Sequence, residues 1–423
     1  MRELSSPAEV DAISGAYEHE PDRIEALCKV YWRPQPPAGE AAGDLDPFSP
    51  AFRHRAVQFL LEINGKASYD PVQNEKSSCL EPVATGPVVP DLYQTGDSAW
   101  LGEMVQSHGG VLKALDVRRG QSVLEYGPGD GQIALHLARM GCAVTVVDVE
   151  GVYLSRIRAQ ATAFPVEVKT IEGLFGTAEP GVKYDRILFY ESFHHALDHH
   201  DLVGTSRAQL APSGLVVFAG EPILAHDDHF RPVLPYAWGP RLDGLSLRAM
   251  RNYGWCELGY AREYFIELLM RAGFTLTYRP DPAAGRASAY VAKLRGDTVD
   301  LAGPCVLEAW GAPDCWHPGE GNIRWSRTEL AVIPVDCTDT WSQLQLGISN
   351  YLPFPQTVEC RFGDRSETVT LQHRESTTLT FQPAANASRI EIRCPVRRIC
   401  DALPGNADTR TVGIAVSTLA YQP

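Results

Sequence analysis

Val123-Leu-Glu-Tyr-Gly-Pro-Gly-Asp-Gly131 decides the fold of this chain. Its first half is short, apolar and strand-like, and its second half is a Gly-x-Gly-x-Gly turn. A helical pattern, Gln132 to Met140, follows at once. Glycine has no Cβ and accepts the dihedrals of a tight strand-to-helix corner, so such a turn lets a ligand lie against bare backbone. The stretch reads as a cofactor site.

Outward from that turn, strands and helices alternate. Strands are expected at 121–126, 143–148, 166–171, 184–190, 214–219, 274–279 and 288–294, with helices at 132–140, 151–162, 201–210 and 261–272. Apolar, β-branched strands alternating with helices predict an α/β fold, a doubly wound, mostly parallel sheet covered on both faces. Ahead of it, Ser98 caps a helix to Gln106, and Gly109-Gly110 separates that helix from a short one, Val111 to Leu115.

At 423 residues the chain exceeds one ordinary core. Residues 1–94 read as an N-terminal helical cap, with helical spacing over Asp22–Arg33 and Ala51–Ile63 and a proline-rich break between them. Residues 95–296 form the α/β domain. From 297 to 423 helical periodicity gives way to alternating runs such as Val358/Cys360/Phe362 and Ile390/Ile392, the pattern of an antiparallel β-sandwich or jelly roll.

The formal net charge of −14 and the lack of a Lys/Arg run argue against a nucleic-acid partner. No signal-like leader or membrane-length apolar run is seen, so a cytoplasmic location is expected. Ten cysteines, none in a CxxC pair, read as buried free thiols.

Gln132 stands where a dinucleotide fingerprint places its last glycine, and Asp130 would oppose a phosphate. Both disfavour NAD or FAD and suit a cationic ligand. Asp148, at the end of the second strand, is placed to accept hydrogen bonds from a ribose diol. Glu125 and Asp130 offer acids near the turn to an ammonium group.

With these residues the segment 95–296 resembles the class I S-adenosylmethionine-dependent methyltransferases. The likeness rests on the opening stretch, on Val146-Val-Asp148, on Tyr184-Asp-Arg-Ile-Leu-Phe-Tyr-Glu-Ser-Phe-His-His195, on Leu210-Ala-Pro-Ser-Gly-Leu-Val-Val-Phe218 and on Tyr264-Phe-Ile-Glu-Leu-Leu-Met-Arg-Ala-Gly-Phe274. It implies a Rossmann-like methyltransferase sheet and S-adenosylmethionine as cofactor. Glu125, Gly127, Gly129, Asp130 and Gly131 would hold the methionine part, Asp148 the ribose, and Glu172, Leu174 and Phe175 the adenine, with Tyr190 among the cofactor neighbours. Leu174 departs from the acid the family often has there, leaving adenine N6 to a backbone carbonyl or to Glu172.

Residues after the fourth and fifth strands should face the reacting methyl. His194 and His195 are the candidate bases, with Glu191 and Glu221 as orienting or alternative groups. The run His194-His-Ala-Leu-Asp-His-His-Asp201 and His226-Asp-Asp-His229 match no metal-binding spacing, so no metal is expected. Asp198 to Asp201 lie where Asp commonly caps a helix. An insertion between Pro222 and Gly259 offers Tyr236, Trp238, Arg241, Asp243, Tyr253 and Trp255 to a substrate.

In the β domain, Trp310, Gly321-x-x-Arg-Trp325 and Asp408-x-Arg-x-x-Gly-Ile414 resemble terminal domains found beside methyltransferases of bacterial surface-polysaccharide assembly, which implies carbohydrate contact by analogy only. A purely structural or dimerising sandwich is the other reading. The expected function is methyl transfer to a hydroxyl of a saccharide or sugar-containing precursor, in polysaccharide biosynthesis. A small-molecule or protein acceptor, or a non-catalytic scaffold whose β domain binds a partner, stays open, as does homo-oligomerisation.

Overall fold

The computed structural model describes residues 1–15, 21–33, 45–76, 96–225, 232–301, 315–384 and 387–423. His226, Asp227, Asp228, His229 and Trp310 lie outside them. The chain divides into two compact units: Met1–Tyr264 with Arg279–Val291, and Phe265–Tyr278 with Ala292–Pro423.

The first landmark is a seven-stranded sheet: β1 (Ser122–Tyr126), β2 (Ala143–Asp148), β3 (Val168–Glu172), β4 (Tyr184–Tyr190), β5 (Leu210–Ala219), β6 (Phe274–Arg279) and β7 (Ala289–Leu294), in the order β6-β7-β5-β4-β1-β2-β3. β1 pairs in parallel with β2 and β4, β2 with β3, and β4 with β5. Strands covered on both faces have no solvent side. Accordingly Val123, Leu124, Glu125 and Tyr126 are all buried, the acid among the apolar residues. The strand order reverses at β1 and β4, so the crevice for a ligand opens beyond their carboxyl ends.

Helices α1 (Ser98–Leu115), α2 (Gln132–Met140), α3 (Gly151–Ala163), α4 (His199–Gln209) and α5 (Gly244–Asn252) belong, with β1 to β5, to the first unit. α1 is one helix, where two were expected. Its N-cap is Asp97, whose carboxylate accepts from the Ala99 and Trp100 N–H groups, and not Ser98. The Gly109-Gly110 pair does not break it. A Cβ on Gly110 would stand 2.4 Å from Ala287 Cβ, so this glycine serves close approach of the 281–287 loop. At α4, Asp198 holds the N-cap position but makes no side-chain cap; its carboxylate accepts from Arg53 Nε at 3.0 Å instead.

The N-terminal residues are not purely helical. Besides helices Glu9–Ser14, Pro21–Cys28, Pro50–Asn64 and Pro71–Asn74, Arg2–Leu4 pairs in parallel with Val30–Trp32, where helical spacing had suggested a longer helix. β-branched and aromatic residues there, Val30-Tyr31-Trp32, fit an extended strand.

In the second unit, β8 (Arg324–Trp325), β9 (Leu330–Pro334), β10 (Gln343–Ser349), β11 (Gln356–Phe362), β12 (Arg365–Leu371), β13 (Ser376–Phe381), β14 (Arg389–Arg393) and β15 (Ala415–Gln422) form two four-stranded sheets, β8-β15-β10-β13 and β9-β14-β11-β12. The pairings are antiparallel. β11 shows why: Gln356, Val358, Cys360 and Phe362 are buried while Thr357 and Arg361 are exposed, one covered face and one open. Arg324 of the Gly-x-x-Arg-Trp motif is buried and donates to the Leu301 and His317 carbonyls, a structural task. Arg410 of the second motif pairs with Asp408 and with Glu320, the residue just before the first motif.

Among the described residues no helix is long and apolar enough to cross a membrane. Their eight cysteines are free thiols; Cys142, Cys256, Cys360 and Cys394 are buried, Cys28 and Cys337 exposed.

Candidate functional site

A cavity of about 230 Å³ opens at the carboxyl ends of β1, β2 and β4, lined by Gly127, Gly129, Asp148, Glu150, Tyr153, Leu174, Phe175, Glu191, Ser192, His195 and Trp255, with Pro71 and Glu75 at one side.

The three glycines of the turn all have positive φ: 64°, 51° and 71°. Their surroundings differ. A Cβ on Gly127 would stand 2.7 Å from Ser192 Cβ, and one on Gly131 2.5 Å from Ile157 Cγ1, whereas one on Gly129 would meet nothing within 4 Å. Gly127 and Gly131 allow the protein to pack against itself. Gly129 keeps a space in the cleft empty, as a chain-like ligand lying on the backbone requires.

Asp148 lines the cleft, buried, with Oδ1 accepting from Glu150 N at 2.8 Å. Burial pushes its carboxyl up to about 6 against the Glu150 hydrogen bond, so it is ionised at neutral pH and can accept from a diol. Glu150 caps α3 through Val152 N at 3.0 Å and also faces the cleft. Leu174 and Phe175 line the cleft opposite, Phe175 edge-on to Tyr126. Glu172 is exposed, its carboxylate 3.2 Å from where a Gly151 Cβ would sit, and does not line the cavity.

Glu125, Asp130 and Tyr190 stand back from the cavity. Glu125 is buried behind the turn, accepting from Ala134 N–H at the start of α2, and desolvation pushes it up to about 8. Asp130 turns to Arg156 on α3, 3.5 Å away. The Tyr190 ring packs edge-on against His108 at 5.9 Å.

Beyond β4 the four acid-base candidates take different places. Glu191 lines the cleft in a left-handed conformation rare for a non-glycine residue, φ 50°, with both carboxylate oxygens 2.7 Å from Arg286 Nη1. Glu221 is fully enclosed. Its Oε1 accepts from Ser192 N and Phe193 N, both at 2.8 Å, and its Oε2 from His194 N at 3.2 Å, with His194 Nδ1 at 2.9 Å. Burial would raise Glu221, but these bonds hold it below the ordinary carboxylate range. It fixes the turn and the ring of His194 and has no lone pair facing the cavity.

His194 is buried and does not line the cavity; Nε2, the ring nitrogen that Glu221 leaves over, lies 3.9 Å from Glu257 Oε2. His195 lines the cleft, its Nδ1 3.0 Å from Glu75 Oε2 but off the line of a directed hydrogen bond, so the pair is ionic. Burial opposes charge on His195, yet Glu75, Glu257 and Glu221 outweigh it and raise the ring to about 9. It is a cation at neutral pH. His199 and His200 turn away, both bonded to the Tyr264 hydroxyl.

Of the insertion residues, Trp255 alone reaches the cavity, edge-on to His195 at 5.9 Å and with an indole N–H that has no partner among the described residues. Trp238 is buried, donating to the Pro47 carbonyl at 2.9 Å and packed on His199. Tyr236 bonds the Pro240 carbonyl, Asp243 caps α5 through Ser246 N at 3.0 Å, Arg241 reaches Ser246 Oγ at 2.8 Å, and Tyr253 accepts from Arg248 at 2.9 Å. These five build the insertion's own packing.

Sequence reasoning did not single out Glu75, Glu150, Tyr153 or Glu257. Glu150 was within reach, two residues past Asp148 at a helix start. Glu75 and Glu257 are brought in by tertiary folding and carry no local signal.

Residues 109–278 match a family model described as a methyltransferase domain. The chain is 36% identical over 105 residues to a ubiquinone biosynthesis O-methyltransferase of Paramagnetospirillum magneticum, a match covering 24% of this chain and 40% of the relative. It is 30% identical over 113 residues to the enzyme of that name from Alkalilimnicola ehrlichii, covering 26% of this chain and 45% of the relative. The chain thus spans less than half the length of these curated relatives. Among solved structures it is similar to the 1,6-didemethyltoxoflavin-N1-methyltransferase of Burkholderia thailandensis, determined with S-adenosylhomocysteine, at 17% identity and a TM-score of 0.36, covering 51% of this chain and 94% of that one.

Proposed function

We propose that this protein, which carries a methyltransferase domain over residues 109–278, moves the methyl group of S-adenosylmethionine to an oxygen of a hydroxyl-bearing acceptor. The observation that carries the reading is the pairing of Gly129 with Asp148: a backbone left bare toward the cleft and an ionised acid at the next strand end. The donor set fits the cofactor. Gly127 and Gly129 would border its amino-acid chain, Asp148 would accept from its ribose, and Leu174 and Phe175 would flank the adenine. The sulfonium supplies the leaving group, so the protein's work is to hold the acceptor in line and to receive its proton.

The acceptor end is the His194–His195 corner. Glu221 is saturated with hydrogen bonds, Glu191 is tied to Arg286, and His195 is already charged, which leaves the open nitrogen of His194 as proton acceptor with Glu221 orienting the ring. Trp255 offers a flat face and an unpaired donor, and Glu75 an acceptor, a composition suited to a hydroxyl-rich molecule such as a saccharide or sugar-containing precursor. The name shared by the two curated relatives supports oxygen as the accepting atom.

The test is incubation with methyl-labelled S-adenosylmethionine and a cell extract separated into glycan, protein and small-molecule fractions. Label is expected in the glycan or small-molecule fraction and is expected to vanish with Asp148→Ala. Transfer that survives Asp148→Ala at full rate would overturn the ribose assignment, and label confined to protein would overturn the acceptor class.

A further inference from the structure

We propose that His194, His195 and Glu257 bind one first-row divalent cation at the inner end of the cleft. One ligand atom from each of the three lies within 4.8 Å of the others, and His194 Nε2 already stands 3.9 Å from Glu257 Oε2. Ligands about 2.0–2.2 Å from a shared cation are roughly 3–4 Å apart, so small side-chain rotations close the set. Two imidazoles and one carboxylate suit zinc, iron or manganese.

What separates this cluster from a chance gathering is the layer behind it. A metal-binding histidine usually gives its other ring nitrogen to a carboxylate, which fixes the tautomer and aims the ligand nitrogen. His194 has that partner at Nδ1, Glu221 Oε2 at 2.9 Å, and His195 has Glu75 Oε2 at 3.0 Å from Nδ1 as an ion pair that a small ring rotation turns into the same bond. Nε2 of each ring faces the ion, which takes the place of the proton that His195 otherwise carries there and releases it to solvent. Glu221 is itself anchored by the Ser192 and Phe193 N–H groups, and Glu75 by Cys256 N at 2.7 Å and the Tyr69 hydroxyl at 2.5 Å. Arg241 opposes the ion, with Nη2 3.6 Å from Glu257 Oε2, and sets the affinity below that of an uncontested site.

The sequence spacing hid this set because Glu257 comes from the insertion. An ion at His194 Nε2 occupies the nitrogen that otherwise receives the acceptor's proton, so the two occupancies exclude each other, and ion binding is measured without cofactor or acceptor. Mn²⁺ is titrated into the full chain and its free-ion electron paramagnetic resonance signal followed, with Zn²⁺ calorimetry in parallel. One ion per chain is expected. Glu257→Gln and His194→Gln should each abolish it, and the exposed-histidine control His54→Asn should leave it unchanged. Glu221→Gln, which keeps all three ligands, should weaken it about 10–100-fold. Circular dichroism melting checks that each variant folds; should Glu257→Gln unfold, Glu221→Gln decides. Binding unaltered in Glu257→Gln or Glu221→Gln, or no binding of either ion by the unaltered protein, overturns the proposal.

Discussion

Replacing Gly129 and Gly131 of the turn by alanine, one at a time, separates ligand space from packing. At Gly131 a methyl would press within 2.5 Å of Ile157 Cγ1. The left-handed backbone, φ 71°, costs a side chain about 1–2 kcal/mol, and overpacking a filled site adds about 1–3 kcal/mol. Gly131→Ala should therefore lose about 2–5 kcal/mol of folding stability. At Gly129 the dihedral penalty is of the same kind, about 1–2 kcal/mol, but nothing lies within 4 Å of the new methyl. Its cost falls on whatever occupies the cleft. Gly129→Ala should melt only slightly below the unaltered protein while weakening S-adenosylhomocysteine at least tenfold, about 1.4 kcal/mol. Thermal unfolding and calorimetry on the two variants read these quantities separately. Gly129→Ala binding as tightly as the unaltered chain, or Gly131→Ala folding without loss, would refute the division of labour.

Glu125→Gln tests the buried acid behind the turn. With its carboxyl raised from 4.5 to about 8, the folded chain keeps a proton that the unfolded chain has lost across that window, so its stability falls as pH rises through it, by up to about 5 kcal/mol. The glutamine cannot ionise, so the gap between variant and unaltered protein in urea titrations should move in the variant's favour from about pH 5 to about pH 9; a constant gap would place Glu125 in water. Trp255→Ala should raise the acceptor KM with the melting temperature nearly unchanged, whereas Trp238→Ala, emptying a buried site, should cost about 3–5 kcal/mol of stability. Reversal of that pair would exchange their roles.

The sheet was legible because its central strands are apolar on both faces and its turns are punctuated by glycine; β2, β4 and α2 have the bounds that periodicity assigns. Local patterns misled where tertiary packing overrode them: Gly109-Gly110 reads as a break but sits inside α1 because a neighbouring loop needs the room. Half of the cleft followed from strand-end logic, which places Asp148, Glu191 and His195 without further information. The other half did not. An aromatic in an insertion looks the same whether it faces a ligand or its own core, so Trp238 and Trp255 could not be told apart. Glu75 and Glu257 reach the histidines only through contacts distant in sequence. The sequence leaves Glu221 as an orienting group or an alternative base, and its enclosure by four protein donors favours the first, the residue that aims His194.

The central claim, that the Gly129–Asp148 cleft takes an adenosyl cofactor, is met most directly by calorimetric titration of S-adenosylmethionine into the unaltered chain and into Asp148→Ala. One site per chain, its affinity lost in the variant, is the predicted result. Absence of binding to the unaltered chain, or equal affinity in both, would contradict it.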